Sequence, residues 1–181
     1  MRNNKHLSAL VATLGLALFS TANASNLSFT GNFTRDDDVQ LFNFTVGVAS
    51  TVRLVSWSYA GGVNAAGTTI AEGGFDPILS LFTAAGTFID RNDDGGDGDP
   101  AGSCPVATSA VTGQAWDTCF DRALDPGNYI VAVAQFDNFH INDLGDGFQR
   151  SGGRTSRPSL AARTASFAMC RALVSTRTAT R

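Results

Sequence analysis

Residues 128–136 read Asn-Tyr-Ile-Val-Ala-Val-Ala-Gln-Phe, a run that would make both faces of an extended strand apolar. Such a strand suits the interior between two layers, because a half-exposed strand alternates apolar with polar positions. Segments 27–34, 39–46, 51–59, 77–82 and 87–89 are likewise rich in Val, Ile, Phe, Thr and Tyr, and Gly, Asp, Asn or Pro separates most of them. These six candidate strands predict an all-β protein built as a two-sheet antiparallel β-sandwich. Sustained helical spacing is absent outside the first 24 residues, and the Ala/Gly stretch 61–67 reads as a loop.

The first 24 residues stand apart. Arg2 and Lys5 precede a mostly apolar run from Leu7 to Phe19, and Ala22-Asn23-Ala24 has the small-x-small form that signal peptidase accepts. Residues 1–24 are therefore expected to be a cleaved signal peptide, since a membrane anchor needs about 20 apolar residues. The mature chain is expected to be secreted, at the cell surface or outside the cell, with no membrane span. The remainder is short enough for one domain, expected over 25–149, and the 19 glycines of the whole chain fit a fold with many tight turns.

Export changes how the cysteines read. Cys104 and Cys119 close a loop of about 15 residues, and in an oxidising compartment the simplest expectation is a disulfide. A zinc site would need short Cys-x-x-Cys spacing and partner histidines, neither of which is present.

Charge divides the chain. All 16 acids, 15 of them Asp, fall before Arg150, whereas from Arg150 onward there are seven arginines and no acid. A basic tail for an anionic polymer and a disordered end are two readings. A third is that 150–181 is an out-of-frame segment. Phe167 to Ala172 can be back-translated so that the neighbouring frame permits Cys-Asp-Val-Ser-Gly, and early stop codons in that frame would sink the idea. On that reading the tail is disordered and the sandwich lacks its C-terminal strand or strands. No nucleic acid partner is expected.

Three stretches carry a family likeness. "DDDVQLFNFTV" (36–46), "GFDPILSLFTAAGTFIDRNDDGG" (74–96) and "LDPGNYIVAVAQF" (124–136) resemble, in order, the signatures of bacterial pre-peptidase C-terminal domains. The likeness is closer still to exported PEP-CTERM-type surface proteins built on that domain, and "SWSYAGGVNAAGTTIAEGGFDP" and "QFDNF" fit the inserts expected there. The resemblance implies a jelly-roll-like β-sandwich serving as a non-catalytic appendage or bacterial surface module, in some members with bound calcium.

Candidate chemistry centres on the acids. Asp90-Arg91-Asn92-Asp93-Asp94-Gly95 fits D-x-N-x-D-G, the first half of an EF-hand loop, in which alternate oxygens converge on calcium. Position 12 would be Ala101 rather than the bidentate Glu, so the candidate ligands are Asp90, Asn92, Asp94, Asp97 and Asp99, with affinity in the weak extracellular class. The alternative is a solvated turn in which Asp and Asn cap their own backbone. Asp36-Asp37-Asp38 either adds to that site or is a charged turn guarding a strand edge.

Catalysis finds little in the sequence. His140 is the one histidine beyond the signal peptide, and no G-x-S-x-G nucleophile motif accompanies it. A glycosidase-type carboxylate pair would make the protein a hydrolase, but most aspartates crowd into turns. Trp57, Tyr59 and Trp116 are candidates for stacking on sugar rings, or else for packing. The sequence therefore predicts a non-enzymatic module with a structural, adhesion or matrix role, its partner a surface matrix protein or extracellular polysaccharide. A carbohydrate-binding module is the alternative.

Overall fold

The computed structural model describes residues 26–95, 104 and 106–151, together with the backbone of 164–173. Two four-stranded antiparallel sheets face each other. The first orders β1 (Leu27–Asn32), β10 (Thr164–Leu173), β3 (Ser50–Trp57) and β8 (Cys119–Leu124). The second orders β2 (Val39–Val46), β9 (Gly127–Gln135), β6 (Pro77–Thr83) and β7 (Phe88–Asn92). A two-stranded ribbon, β4 (Gly62–Val63) with β5 (Thr69–Ile70), leaves this frame, its first strand inside the 61–67 stretch expected to be a loop and its second just after it. No helix among the described residues is long and apolar enough to cross a membrane.

Both sheets contribute to one core. Val52 and Leu54 of β3 and Phe120 and Leu124 of β8 meet Phe44 and Val46 of β2, Leu79 and Leu81 of β6, and Tyr129, Val131 and Val133 of β9. Phe33 and Phe75 stack at 4.6 Å and join the same core. The opposite face of β9 is also covered, as its apolar run predicts. Ala132 and Ala134 pack with Phe82 and Phe148, so the segment after β9 folds back over the outside of that sheet.

Two strands depart from expectation. β8 carries Asp121 and Arg122 mid-strand, which masks its pattern; in register, Asp121 lies opposite Arg53 and takes two 2.7 Å hydrogen bonds from its guanidinium. A charge pair across neighbouring strands lets a polar strand hold its place.

The second departure lies beyond the expected boundary at 149, where the structure places a strand in a segment expected to be disordered. β10 occupies the middle of the first sheet, paired along β1 from Leu27↔Met169 to Asn32↔Thr164 and along β3 from Thr51↔Leu173 to Trp57↔Ser166, with an irregularity between Cys170 and Ala172. The sequence there alternates Ala165, Phe167 and Met169 with Thr164, Ser166 and Ala168, a period-2 pattern that suits a strand despite the surrounding arginines. Arg150 also belongs to the folded domain. Its guanidinium reaches Asp36 at 2.8 Å and Asp137 at 2.6 Å. The signal-peptide reading falls on 1–24, outside the described residues.

Candidate functional site

β6 and β7 are antiparallel neighbours, so the residue before β6 and the residues after β7 lie at the same end of their sheet. Asp76 precedes β6, and Asp93 and Asp94 follow β7. Asp117, just before β8, arrives at this corner from the other sheet. Thr118 closes the junction: its hydroxyl contacts the carbonyl oxygens of Pro77 at 2.6 Å and Asp93 at 3.0 Å. Gly95 donates its N–H to Ala115 at 3.3 Å. A Cβ on Gly95 would run into Val106, so the glycine of Asp-Asp-Gly serves close packing.

Two of the four aspartates have distinct environments. Asp117 is buried at 1% exposure and accepts four hydrogen bonds, from Ser56 Oγ and from the N–H groups of Ser58, Tyr59 and Ala60. Burial pushes its pKa up while these four donors pull it down, and the net shift is upward. Asp76 is held differently. Its main-chain oxygen accepts from Phe136 N–H at 2.7 Å, but its Oδ1 is buried with no hydrogen-bond partner. Desolvation first, then the charges of Asp94, Asp93 and Asp117, push the Asp76 carboxyl up to about 8. Gln135, the register partner of Pro77, likewise has a buried Oε1 without a partner.

An oxygen-rich, negatively charged corner favours a proton on Asp76, and carboxylate and carbonyl oxygens are also the ligand type that hard cations such as calcium prefer. The described residues do not include three His, Cys, Asp or Glu side chains already gathered closely enough to hold a metal ion.

This corner differs from the linear EF-hand reading. Asp90 and Asn92 do not bend into a loop; they continue β7, opposite Leu81 and Leu79. The Asp90 carboxylate pairs with Arg122 at 3.1 Å, and Asn92, 3% exposed, accepts from Cys119 N–H at 3.3 Å. Both are committed within the sandwich. Asp94 remains at the corner, and Asp97 and Asp99 lie outside the described residues. Asp76, Asp93 and Asp117 are the additions that tertiary structure makes.

The other candidates are placed as follows. A disulfide joins Cys104 and Cys119, Cα to Cα 5.6 Å. Trp57 packs against that bridge and Val106, and the left-handed Gly62, φ +145, sits so close to its ring that a Cβ there would clash. Trp57 is thereby separated in role from Tyr59 and Trp116, whose rings meet at 4.5 Å with a 47° tilt. Asp36, Asp37 and Asp38 form a structural turn. Asp38 caps the N–H groups of Thr34 and Arg35, Asp37 meets Arg35, and Asp36 meets Arg150. His140 is buried, stacks on Phe88 at 4.2 Å, and donates from Nδ1 to the Asn142 carbonyl at 2.7 Å, since a carbonyl can only accept.

A scan of protein-family models matches none to this chain, and a search of curated proteins returns no match.

Proposed function

We propose that the protein is an exported, non-enzymatic β-sandwich module with a structural or adhesive role at the bacterial surface, stabilised by calcium at its acidic corner. The observation that carries the calcium reading is Asp76: a buried carboxylate oxygen without a hydrogen-bond donor, in the field of three further aspartates. Asp76, Asp93 and Asp94 would hold the ion, with Gln135 supplying a neutral oxygen at the same end of the sheet. Calcium would offset the mutual repulsion of the carboxylates. Since these side chains do not form a closed cage, affinity belongs with weak extracellular sites, roughly 0.1 to 1 mM.

The export part of the reading rests on the leader-like first 24 residues and the disulfide, a bond that persists in oxidising compartments. The three motifs that resemble pre-peptidase C-terminal domains support the surface role, and one of them, 74–96, supplies Asp76, Asp93 and Asp94 of the corner. A protonated Asp76 beside ionised neighbours also has the form of a general acid. The groove next to Tyr59 is lined by none of the corner aspartates, which favours the structural reading over a hydrolase.

Titration of the mature chain with calcium in a calorimeter tests the proposal. Saturable heat with a sub-millimolar to millimolar midpoint, lost in Asp76→Asn, is expected. Identical traces for the two proteins would contradict the site.

A further inference from the structure

Away from the acidic corner, Tyr59, Glu72, Gly73, Ser109, Val111 and Thr112 line an open groove of about 260 Å³. We propose that this groove takes one pyranose ring of an uncharged polysaccharide. The proposal goes beyond the structural reading above and does not depend on calcium.

The groove is built in advance of any ligand. On one side, Tyr59 is fixed at its backbone by Asp117, at its hydroxyl by Thr112 Oγ1 at 2.9 Å, and at its ring by Trp116. On the other side, the 109–114 turn is closed by Ser109 N–H to Gln114 O and Gly113 N–H to Ser109 O, both 2.9 Å. Glu72 ties that turn down, accepting from the buried Ser109 hydroxyl and from Val111 N–H at 3.1 Å. A site whose walls are already ordered loses little entropy on binding.

Its chemistry selects among ligands. An aromatic ring and the apolar Val111, 84% exposed at the rim, suit the C–H face of a sugar. The Glu72 carboxylate and the Thr112 hydroxyl suit its ring of hydroxyls. Hydrogen bonds from Ser109 and then Val111 hold Glu72 below its usual pKa, so it stays ionised. With no Lys or Arg in the lining, a uronate or sulfated sugar would meet an uncompensated negative charge. The volume, about 260 Å³, falls just below that of drug-sized ligand sites, which run from about 300 to 1,000 Å³, and suits a single ring.

The test is affinity electrophoresis of the full mature chain through gels containing soluble glucans, mannans, galactans and xylans, with polygalacturonate as the acidic control. At least one uncharged polysaccharide should retard the protein and polygalacturonate should not. Tyr59→Ala should weaken the interaction about tenfold or more, and Tyr59→Phe should retain most of it. Val111→Asp, at a position 84% exposed, should also abolish retardation, with its thermal midpoint measured alongside to confirm that it is folded. Glu72→Gln should admit polygalacturonate. Retardation should be the same in EDTA as in calcium, and loss in EDTA would move the site to the acidic corner and overturn the assignment. No retardation by any uncharged polysaccharide, equal retardation of Val111→Asp, or binding of polygalacturonate to the unaltered protein would each overturn it as well.

Discussion

Ser58 donates its backbone N–H to Asp117 Oδ1 over 2.6 Å, joining the end of β3 to the segment that leads into β8. The same carboxylate takes the next two N–H groups, so one buried anion fixes the turn that carries Tyr59. In Asp117→Asn an amide NH2 would replace one acceptor and set donor against donor at Ala60 or Ser58. A loss of about 2 to 4 kcal/mol in urea unfolding is expected. A change within about 0.5 kcal/mol would show that the anion is dispensable.

The Cys104–Cys119 bridge closes a loop of 15 residues onto Trp57 and Val106. Restricting the unfolded chain in this way is worth about 3 kcal/mol. Urea midpoints measured with and without a reductant should differ accordingly, and the Cys104→Ser, Cys119→Ser double variant should match the reduced protein. An unchanged midpoint would contradict the assignment.

β10 is the only sheet neighbour of β1 among the described strands and fills one side of β3. Deleting residues 152–181 would therefore leave β1 unpaired and open an edge in the middle of a sheet. For a domain with about 5 to 15 kcal/mol of stability, that loss is expected to remove cooperative unfolding and expose apolar surface to dye. A truncated chain that melts at the temperature of the full one would show that β10 adds nothing.

The strands that β-branched and aromatic residues mark, at 39–46, 77–82 and 128–136, are where the structure has them, because apolar side chains there face the core on at least one side. β8 was obscured by Asp121-Arg122, whose cross-strand partner Arg53 lies 68 residues away and cannot be inferred from local pattern. In β10 the period-2 alternation is short and is masked by the arginines in and around it. The acidic site was half legible. A linear D-x-N-x-D-G template assumes that consecutive positions curl around one ion, whereas β7 extends through Asp90 and Asn92 and delivers only the following acids to the corner. Asp76 could have been added from the hairpin alone, since antiparallel pairing brings the start of β6 beside the end of β7. Asp117 could not, because its approach depends on how the two sheets pack.

The Asp76 carboxyl also sets a pH dependence. Its pKa rises from an ordinary 3.8 to about 8 in the folded protein, so between those values the folded state holds a proton that the unfolded state has released. Without calcium, stability should accordingly fall as pH rises across that window, and calcium should bind more tightly as the proton leaves. The most direct measurement is thermal unfolding at pH 8 in EDTA and in calcium at about ten times its dissociation constant, for the unaltered protein and for Asp76→Asn. The account predicts that calcium raises the unaltered protein's midpoint by about 3 to 6 °C. It also predicts that Asp76→Asn, relieved of repulsion, melts higher than the unaltered protein in EDTA and does not respond to calcium. Equal midpoints with and without calcium, or an Asp76→Asn variant that responds as fully as the unaltered protein, would contradict it.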